Sequence, residues 1–234
     1  TTITQVTNGY WWDPELGVTN LGGATFRWAE QNLHTTFDQI QATVSKQPAH
    51  VTTNGFQQFR YDSAAGAASV TRTGNVQRGF TGAQMVAQWI RFPNGAPVAN
   101  TFFRHFGGAG SRGINLTRNS STQVRAVISD DGTAQMTFTW ALAGDANWHY
   151  YEWVYDPSLT ATLRMALYVD QILKTPSSPP SAGSVIFDPT TVVDFSAAGV
   201  ANTDVTDRGV CYWTNGIPSD YHRASMRRYK TPLP

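Results

Sequence analysis

Cysteine is nearly missing from this sequence, with one residue, Cys211, in 234. A lone thiol excludes an internal disulfide framework and any zinc site built on cysteine. Charge is scarce as well: Asp, Glu, Lys and Arg make up 14% of the chain, against roughly 25% in ordinary globular proteins. The 17 basic and 16 acidic residues leave a net charge of +1, which gives no electrostatic footprint for nucleic acid. No run approaches the ~20 consecutive apolar residues of a membrane-crossing helix, so no membrane insertion is expected. Thr1-Thr2-Ile3-Thr4-Gln5 shows no basic region followed by an apolar run, so no signal peptide is expected. Helical periodicity is almost absent. The best candidate, Phe37, Ile40 and Val44 around Asp38-Gln39, is brief and dense in Thr and Gln.

What the sequence does contain is strand and turn material. Short runs rich in β-branched and aromatic residues are bounded by Gly, Asn, Asp or Pro. They predict strands near Ala24–Trp28, Phe56–Tyr61, Gln84–Phe92, Thr101–His105, Ile114–Thr117, Gln123–Ser129, Gln135–Leu142, Trp148–Tyr155, Thr162–Leu173 and Val210–Trp213, with a last one near Ser225–Tyr229. Asn54-Gly55, Asn94-Gly95, Asp131-Gly132, Gly144-Asp145 and Asn215-Gly216 supply the turns. Pro176 to Gly183 resembles a linker in composition, but strand-like sequence follows it, so it reads as a surface loop inside one domain. Many short strands at this spacing predict an all-β sandwich or barrel, with residues 1–234 forming one domain and 220–234 a basic C-terminal tail.

Alternation within the strands assigns faces. His149, Tyr151, Trp153 and Tyr155 share one side, expected to face inward. Trp148, Tyr150, Glu152 and Val154 share the other, expected to be half-solvated. Leu163, Met165, Leu167 and Val169 likewise share a face. Trp89 and Trp153 are expected in the core, with Trp148 at its edge. Trp11 and Trp12, preceded by Tyr10, cannot all point inward from an extended segment. An exposed Trp there would stack on a sugar or anchor a protein interface, or else plug the open end of the sandwich.

The run from Trp148-His149 to Tyr155-Asp156, followed by Leu163-Arg164-Met165-Ala166-Leu167-Tyr168-Val169-Asp170, resembles the laminin-G-like, concanavalin A-like jelly rolls. A second match lies upstream, in Trp12-Asp13, Arg27-Trp28, Asn32, Gln41 to Pro48 and Asn54-Gly55 before Phe59-Arg60-Tyr61-Asp62. Phe80-Thr81 leading into Ala87-Gln88-Trp89-Ile90 extends it. This order resembles such domains in bacteriophage and bacterial surface proteins, and the matches span most of residues 11–173. The resemblance implies a jelly-roll β-sandwich of two antiparallel sheets. The sequence departs from the family at Gln171, where Gly is expected after Asp170. A two-residue hairpin with positive φ at both positions disfavours Gln, so a longer or differently shaped turn is expected there.

Catalytic chemistry is thin. Glutamate occurs three times, as Glu15, Glu30 and Glu152. The Glu-x-Asp-x-Glu cluster that jelly-roll glycosidases place on one strand is absent, as are the arginine- and histidine-containing motifs of jelly-roll lyases. Asp13-Pro14-Glu15 is the nearest approach, and its proline argues for a loop. Gly108-Ala109-Gly110-Ser111-Arg112-Gly113 fits a dinucleotide fingerprint only by letter, because strand-like Ile114–Thr117 follows where a helix is required. The five histidines have no metal-ligand spacing. Calcium is the candidate cofactor implied by the resemblance, with Asp130, Asp131, Asp204 and Asp207 as ligands by residue type, or as ordinary turn acids. Asn115-Leu116-Thr117 and Asn119-Ser120-Ser121 read as chance sequons. Arg223, Arg227, Arg228 and Lys230, interleaved with Tyr221 and Tyr229, form a strip suited to docking on an acidic partner.

Taken together, no catalytic residue is expected. The sequence points to a non-enzymatic structural or adhesion protein of a virion or cell surface, of the capsid-decorating or tail-associated kind. Candidate contacts are Tyr10, Trp11, Trp12, Arg227, Arg228 and Lys230, with other virion or surface proteins and glycans as partners and a homo-oligomer, a trimer, as the assembly. The alternative is a carbohydrate-active enzyme, a polysaccharide lyase or glycoside hydrolase.

Overall fold

A computed structural model describes residues 9–13, 15, 16, 18–20, 26–28, 31, 39–44, 47–53, 56–61, 70, 71, 77–92, 100–191, 193–195 and 205–229. Its strands in chain order are β1 (Gly9–Trp12), β2 (Val18–Asn20), β3 (Phe26–Trp28), β4 (Gln39–Gln41), β5 (Ala49–Thr53), β6 (Phe56–Tyr61), β7 (Val70–Thr71), β8 (Gln84–Arg91) and β9 (Asn100–Phe106). They continue with β10 (Arg112–Ser120), β11 (Gln123–Ile128), β12 (Met136–Ala141), β13 (Trp148–Tyr155), β14 (Met165–Val169), β15 (Ile172–Lys174), β16 (Asp194–Phe195) and β17 (Val205–Asn215), before helix α1 (Asp220–Arg228). The molecule is an all-β sandwich. One sheet runs β15-β14-β13-β8-β17-β6-β5 with β1 paired to β17, and the other runs β12-β11-β10-β9-β16-β7-β4-β3-β2. Every described pairing is antiparallel.

The strands form where alternation buries one face. Tyr151, Trp153 and Tyr155 of β13 enter the inter-sheet core beside Met165, Leu167 and Val169 of β14, Val86 and Ile90 of β8, and Trp213 of β17. From the opposite sheet come Trp28, Phe103, Leu116, Val124, Ala126, Phe138 and Trp140. The sides of the sandwich are closed by the segment after β15. Ser177 N donates to Thr139 O at 2.8 Å, Ala182 N to Ala161 O at 3.0 Å and Ile186 N to Thr81 O at 2.8 Å, which straps the eight-stranded sheet to the nine-stranded one. Ala182 and Ile186 are buried in the core, so the Pro-rich stretch is tied down by its own backbone.

Several expectations are corrected. Thr162–Leu173 is not one strand: Ala161–Leu163 forms a turn of 3-10 helix, and β14 and β15 follow as a hairpin. Leu163 is therefore exposed and does not share the face of Met165. The hairpin turn has two residues despite Gln171, with φ of 52° at Asp170 and 71° at Gln171 and Val169 opposite Ile172. Ser225–Arg228 is helical, and Tyr229 is the extended C-cap. Residues 220–228 contain no β-branched side chain, Ser219 accepts from His222 N as N-cap, Asp220 lies in the first turn and Arg227 and Arg228 in the last, all of which favour a helix. Around Gln39 the chain is strand β4; Phe37 lies outside the described residues.

Candidate functional site: the outer face beneath the C-terminal helix

The eight-stranded sheet carries a second apolar cluster on the side away from the core: Trp11, Met85, Ala87, Trp89, Tyr150, Val154 and Tyr212, covered by Met226 of α1. Strand alternation produces it. In β1, Trp12 points into the core and Trp11 points outward, where its ring stacks on Tyr212 with centroids 6.3 Å apart and meets Tyr229 edge-on at 6.1 Å. Both tryptophans are buried, Trp11 at 9% and Trp12 at 0% exposure. The expected exposed tryptophan is thus replaced by one covered by the helix. Glu152, expected to be half-solvated with Trp148, Tyr150 and Val154, is buried by the same cover. Trp89 is buried, but in this outer cluster and not in the core between the sheets.

Polar contacts hold α1 down. Arg223 donates from Nε and Nη2 to the two carboxylate oxygens of Glu152 at 3.0 and 3.1 Å, and its guanidinium lies 4.7 Å over the Tyr168 ring. Trp89 Nε1 donates to the Arg227 carbonyl at 3.2 Å. The Tyr229 hydroxyl donates to Asp13 Oδ2 at 2.9 Å. Beneath the helix, the hydroxyls of Tyr150 and Tyr212 are buried and make no hydrogen bond. Burial raises the pKa of both well above that of an ordinary tyrosine, with Glu152 adding to the shift at Tyr150 and Tyr150 itself adding to it at Tyr212.

The apolar contact of the cover is small. Met226 is the one buried side chain of α1, worth about 1.5–3 kcal/mol. A buried ion pair gains little net stability after desolvation. Each unsatisfied hydroxyl costs about 1–3 kcal/mol, and nine residues fall short of the ~12–15 at which an isolated helix becomes even marginal. A broad aromatic surface is thus covered by a short, polar helix.

Chemically, the face combines ring platforms, two hydroxyls and one carboxylate, the inventory that packs against the CH faces of a sugar and bonds its hydroxyls. Hydrolysis by the usual route needs a pair of carboxyls across the bond, whereas Glu152 is engaged by Arg223. The sequence carried signals for Trp11 and Arg227 at this site. It gave none for Glu152 as the helix anchor or for Tyr150 and Tyr212, because pairing across α1 spans 71 residues.

The remaining candidates lie elsewhere. The Tyr10 hydroxyl donates to Arg78 O at 3.0 Å, and its ring packs on Trp213 and Phe80. Arg228 is exposed on α1, and Lys230 lies outside the described residues. Asp131 accepts from Thr133 N, Ala134 N and the Ser129 hydroxyl, and the two backbone bonds lower its pKa. Asp130 lies against Gly183, where an added Cβ would come within 2.2 Å of Asp130 Oδ2. Asp204 and the side chain of Asp207 lie outside the described residues. Among the described residues no three His, Cys, Asp or Glu side chains converge as a metal site. Arg223, the first residue of the expected docking strip, is spent on Glu152 within the molecule.

At one rim of the sandwich, His149 bridges two carboxylates, Nδ1 to Asp170 Oδ2 at 2.6 Å and Nε2 to Asp145 Oδ1 at 2.9 Å, while Tyr150 N donates to Asp170 Oδ1 at 2.9 Å. The Trp-His and Tyr-Val-Asp ends of the recognisable motif thus meet as a fastener of the β14–β15 turn, a structural role.

No protein-family model and no curated protein sequence matches the chain. Solved structures do. The binding domain of botulinum neurotoxin DC in complex with SialylT superposes with a TM-score of 0.65 at 11% identity, over 95% of this chain and 51% of that one. A botulinum neurotoxin type C structure, described by cell entry dependent on interaction with two ganglioside molecules, gives 0.63 at 9% identity, over 94% and 51%. The serotype D ligand-binding domain in complex with N-acetylneuraminic acid gives 0.60 at 10%, over 88% and 50%. The likeness is one of fold. This chain spans about half the length of the chains it matches.

Proposed function

We propose that the chain is a non-enzymatic binding module, a laminin-G-like, concanavalin A-like jelly roll that attaches a phage particle or cell surface to glycans. The observation that carries this is the shared fold, over most of the chain, with a botulinum neurotoxin binding domain in complex with SialylT and a ligand-binding domain in complex with N-acetylneuraminic acid. Two features of the molecule itself support it. The buried carboxylates of Glu152 and Asp194 are bound to Arg223 and Arg104, an arrangement of structure and not of acid–base chemistry. The outer-face cluster offers rings and hydroxyls of the kind that recognise sugars. Pairing of β1 with β17 and the strap after β15 support one domain over 1–234. Exposed Ile172 and Leu173 on the edge strand β15 support self-association, proposed as a trimer.

A glycan array carrying neutral and sialylated oligosaccharides, run with calcium and with chelator, tests the proposal. Binding without shortened or unsaturated products is the expected result; turnover would establish the carbohydrate-active enzyme instead, and an empty array would remove glycan binding. Loss of binding with chelator would identify calcium as a cofactor. Light scattering after gel filtration reports the oligomer.

A further inference from the structure

We infer that α1 is a displaceable cover, and that the outer face it hides is the saccharide-binding surface, selective for neutral oligosaccharides. This rests on the glycan-binding proposal and adds where, how and which class. The mismatch beneath the helix is the starting point. Trp11, Trp89, Tyr150 and Tyr212 form an aromatic surface, yet α1 answers with one buried side chain, Met226. The Tyr150 and Tyr212 hydroxyls are fully buried and unbonded under it, so the closed arrangement leaves two donors for another molecule to satisfy. Ring faces suit the CH face of a pyranose, and tyrosine hydroxyls suit its hydroxyl groups.

Charge selects the class. When α1 lifts, Arg223, Arg227 and Arg228 leave with it, and Glu152, a buried carboxylate today, loses the guanidinium that neutralises it. An uncovered face carrying the freed Glu152 carboxylate repels a sialic acid or a uronate and accepts uncharged hydroxyls. The bidentate Arg223–Glu152 pair then acts as the latch, because opening separates it.

The experiment titrates the full chain with cellohexaose, maltohexaose and chitohexaose, with sialyllactose as the anionic comparison, while following amide hydrogen exchange of residues 220–229. A neutral hexasaccharide is expected to bind and to accelerate exchange across α1, with sialyllactose doing neither. Tyr150→Phe and Tyr212→Phe keep the ring and remove the hydroxyl; each is expected to weaken binding ~10-fold, the size of one good hydrogen bond. Arg223→Gln loosens the latch and is expected to tighten apparent binding by roughly as much, since more molecules are open before the sugar arrives. A purely structural helix predicts unchanged binding in all three variants. Sugar binding with α1 exchange unchanged and no response to the variants would overturn the inference while leaving glycan binding intact elsewhere. Binding of sialyllactose with acceleration at α1 would overturn the neutral class. No binding by any of the four would overturn the inference, and the array then decides whether glycan binding itself survives.

Discussion

His149 lies between Asp170 and Asp145 at the start of β13, and its titration sets a local pH optimum. The hydrogen bond to Asp170 raises its pKa above the ordinary value, burial opposes this, and Asp145 adds to the rise. Asp170 is lowered: burial pushes it up, but His149 and the Tyr150 amide outweigh burial. Asp145 is lowered chiefly by the Asn147 amide. A raised histidine contributes stability that is complete below about pH 6.5 and is lost as pH rises through its folded value; lowered acids contribute above about pH 4 and lose it as pH falls. The fastener is therefore tightest between those limits. The melting-temperature advantage of the wild type over His149→Asn is expected to be larger at pH 5.5 than at pH 8.5, and an equal advantage at both would refute the ion-pair account. Next to it, Gln171 holds a positive φ that glycine adopts without strain. Gln171→Gly is expected to stabilise by about 0.5–1 kcal/mol, read as a rise of roughly 1–4 °C in Tm.

The basic residues show the same economy of placement, with Lys only at positions 46, 174 and 230 among the 17. Buried Arg78 donates to the carbonyls of Phe80, Ile186 and Phe187 and lies 5.8 Å from the Trp213 ring, with its pKa lowered by burial to about 10. Arg118 binds the carbonyls of Ser120, Ser121 and Leu142 from one nitrogen. The Arg78 guanidinium spreads its donors over a planar fork, from Nε to Phe80 and from Nη2 to Ile186 and Phe187, a geometry that the single nitrogen of an ammonium does not offer. Arg78→Lys is expected to cost about 3 kcal/mol in denaturant unfolding.

Among the elements, α1 buries one side chain on the sheet, whereas β8 pairs along its length with β13 and with β17. Amides of α1 are expected to exchange by a sub-global opening, well before those of β13, and Met226→Ala should widen that gap without altering the exchange of β13. The strands with both a hydrophobic period and flanking turns were legible: Phe56–Tyr61 and Trp148–Tyr155 coincide with β6 and β13. So was the split of Trp11 from Trp12, which follows from strand geometry alone. What was hidden depends on contacts distant in sequence. Trp11 is covered only because α1 returns across the sheet, and Glu152 is buried only because Arg223 meets it there. The three-residue edge strand β15 exists because Asp170 is fastened by His149, which overrides the poor turn chemistry of Gln171. The helix is hard to read from sequence because Ser225–Tyr229 is a short run ending in an aromatic residue, and the Ser219 cap that starts the helix lies six residues upstream of it.

For the whole molecule, the core is largely aromatic, and its rings meet between the sheets: Trp28 on Phe59 at 4.7 Å, Phe103 on Trp213 at 4.7 Å and Phe102 on Trp153 at 5.3 Å. Removing one such ring opens a void that close-packed neighbours cannot fill. Trp12→Ala is expected to cost about 3–5 kcal/mol, a large part of the 5–15 kcal/mol typical of a whole domain, and reversible denaturant unfolding measures it.

Gly9 lies opposite Thr214 in the β1–β17 pair, and Tyr229 bonds to Asp13, so the two ends of the described chain meet on one sheet. Tension applied through both ends would reach the Tyr229–Asp13 bond and the Arg223–Glu152 latch first and peel α1 away. It would next act on β1 and β17 as a zipper, parting their antiparallel bonds in succession instead of shearing them together. A chain built this way yields in stages, giving up its helix as a mechanical fuse before its core bears load.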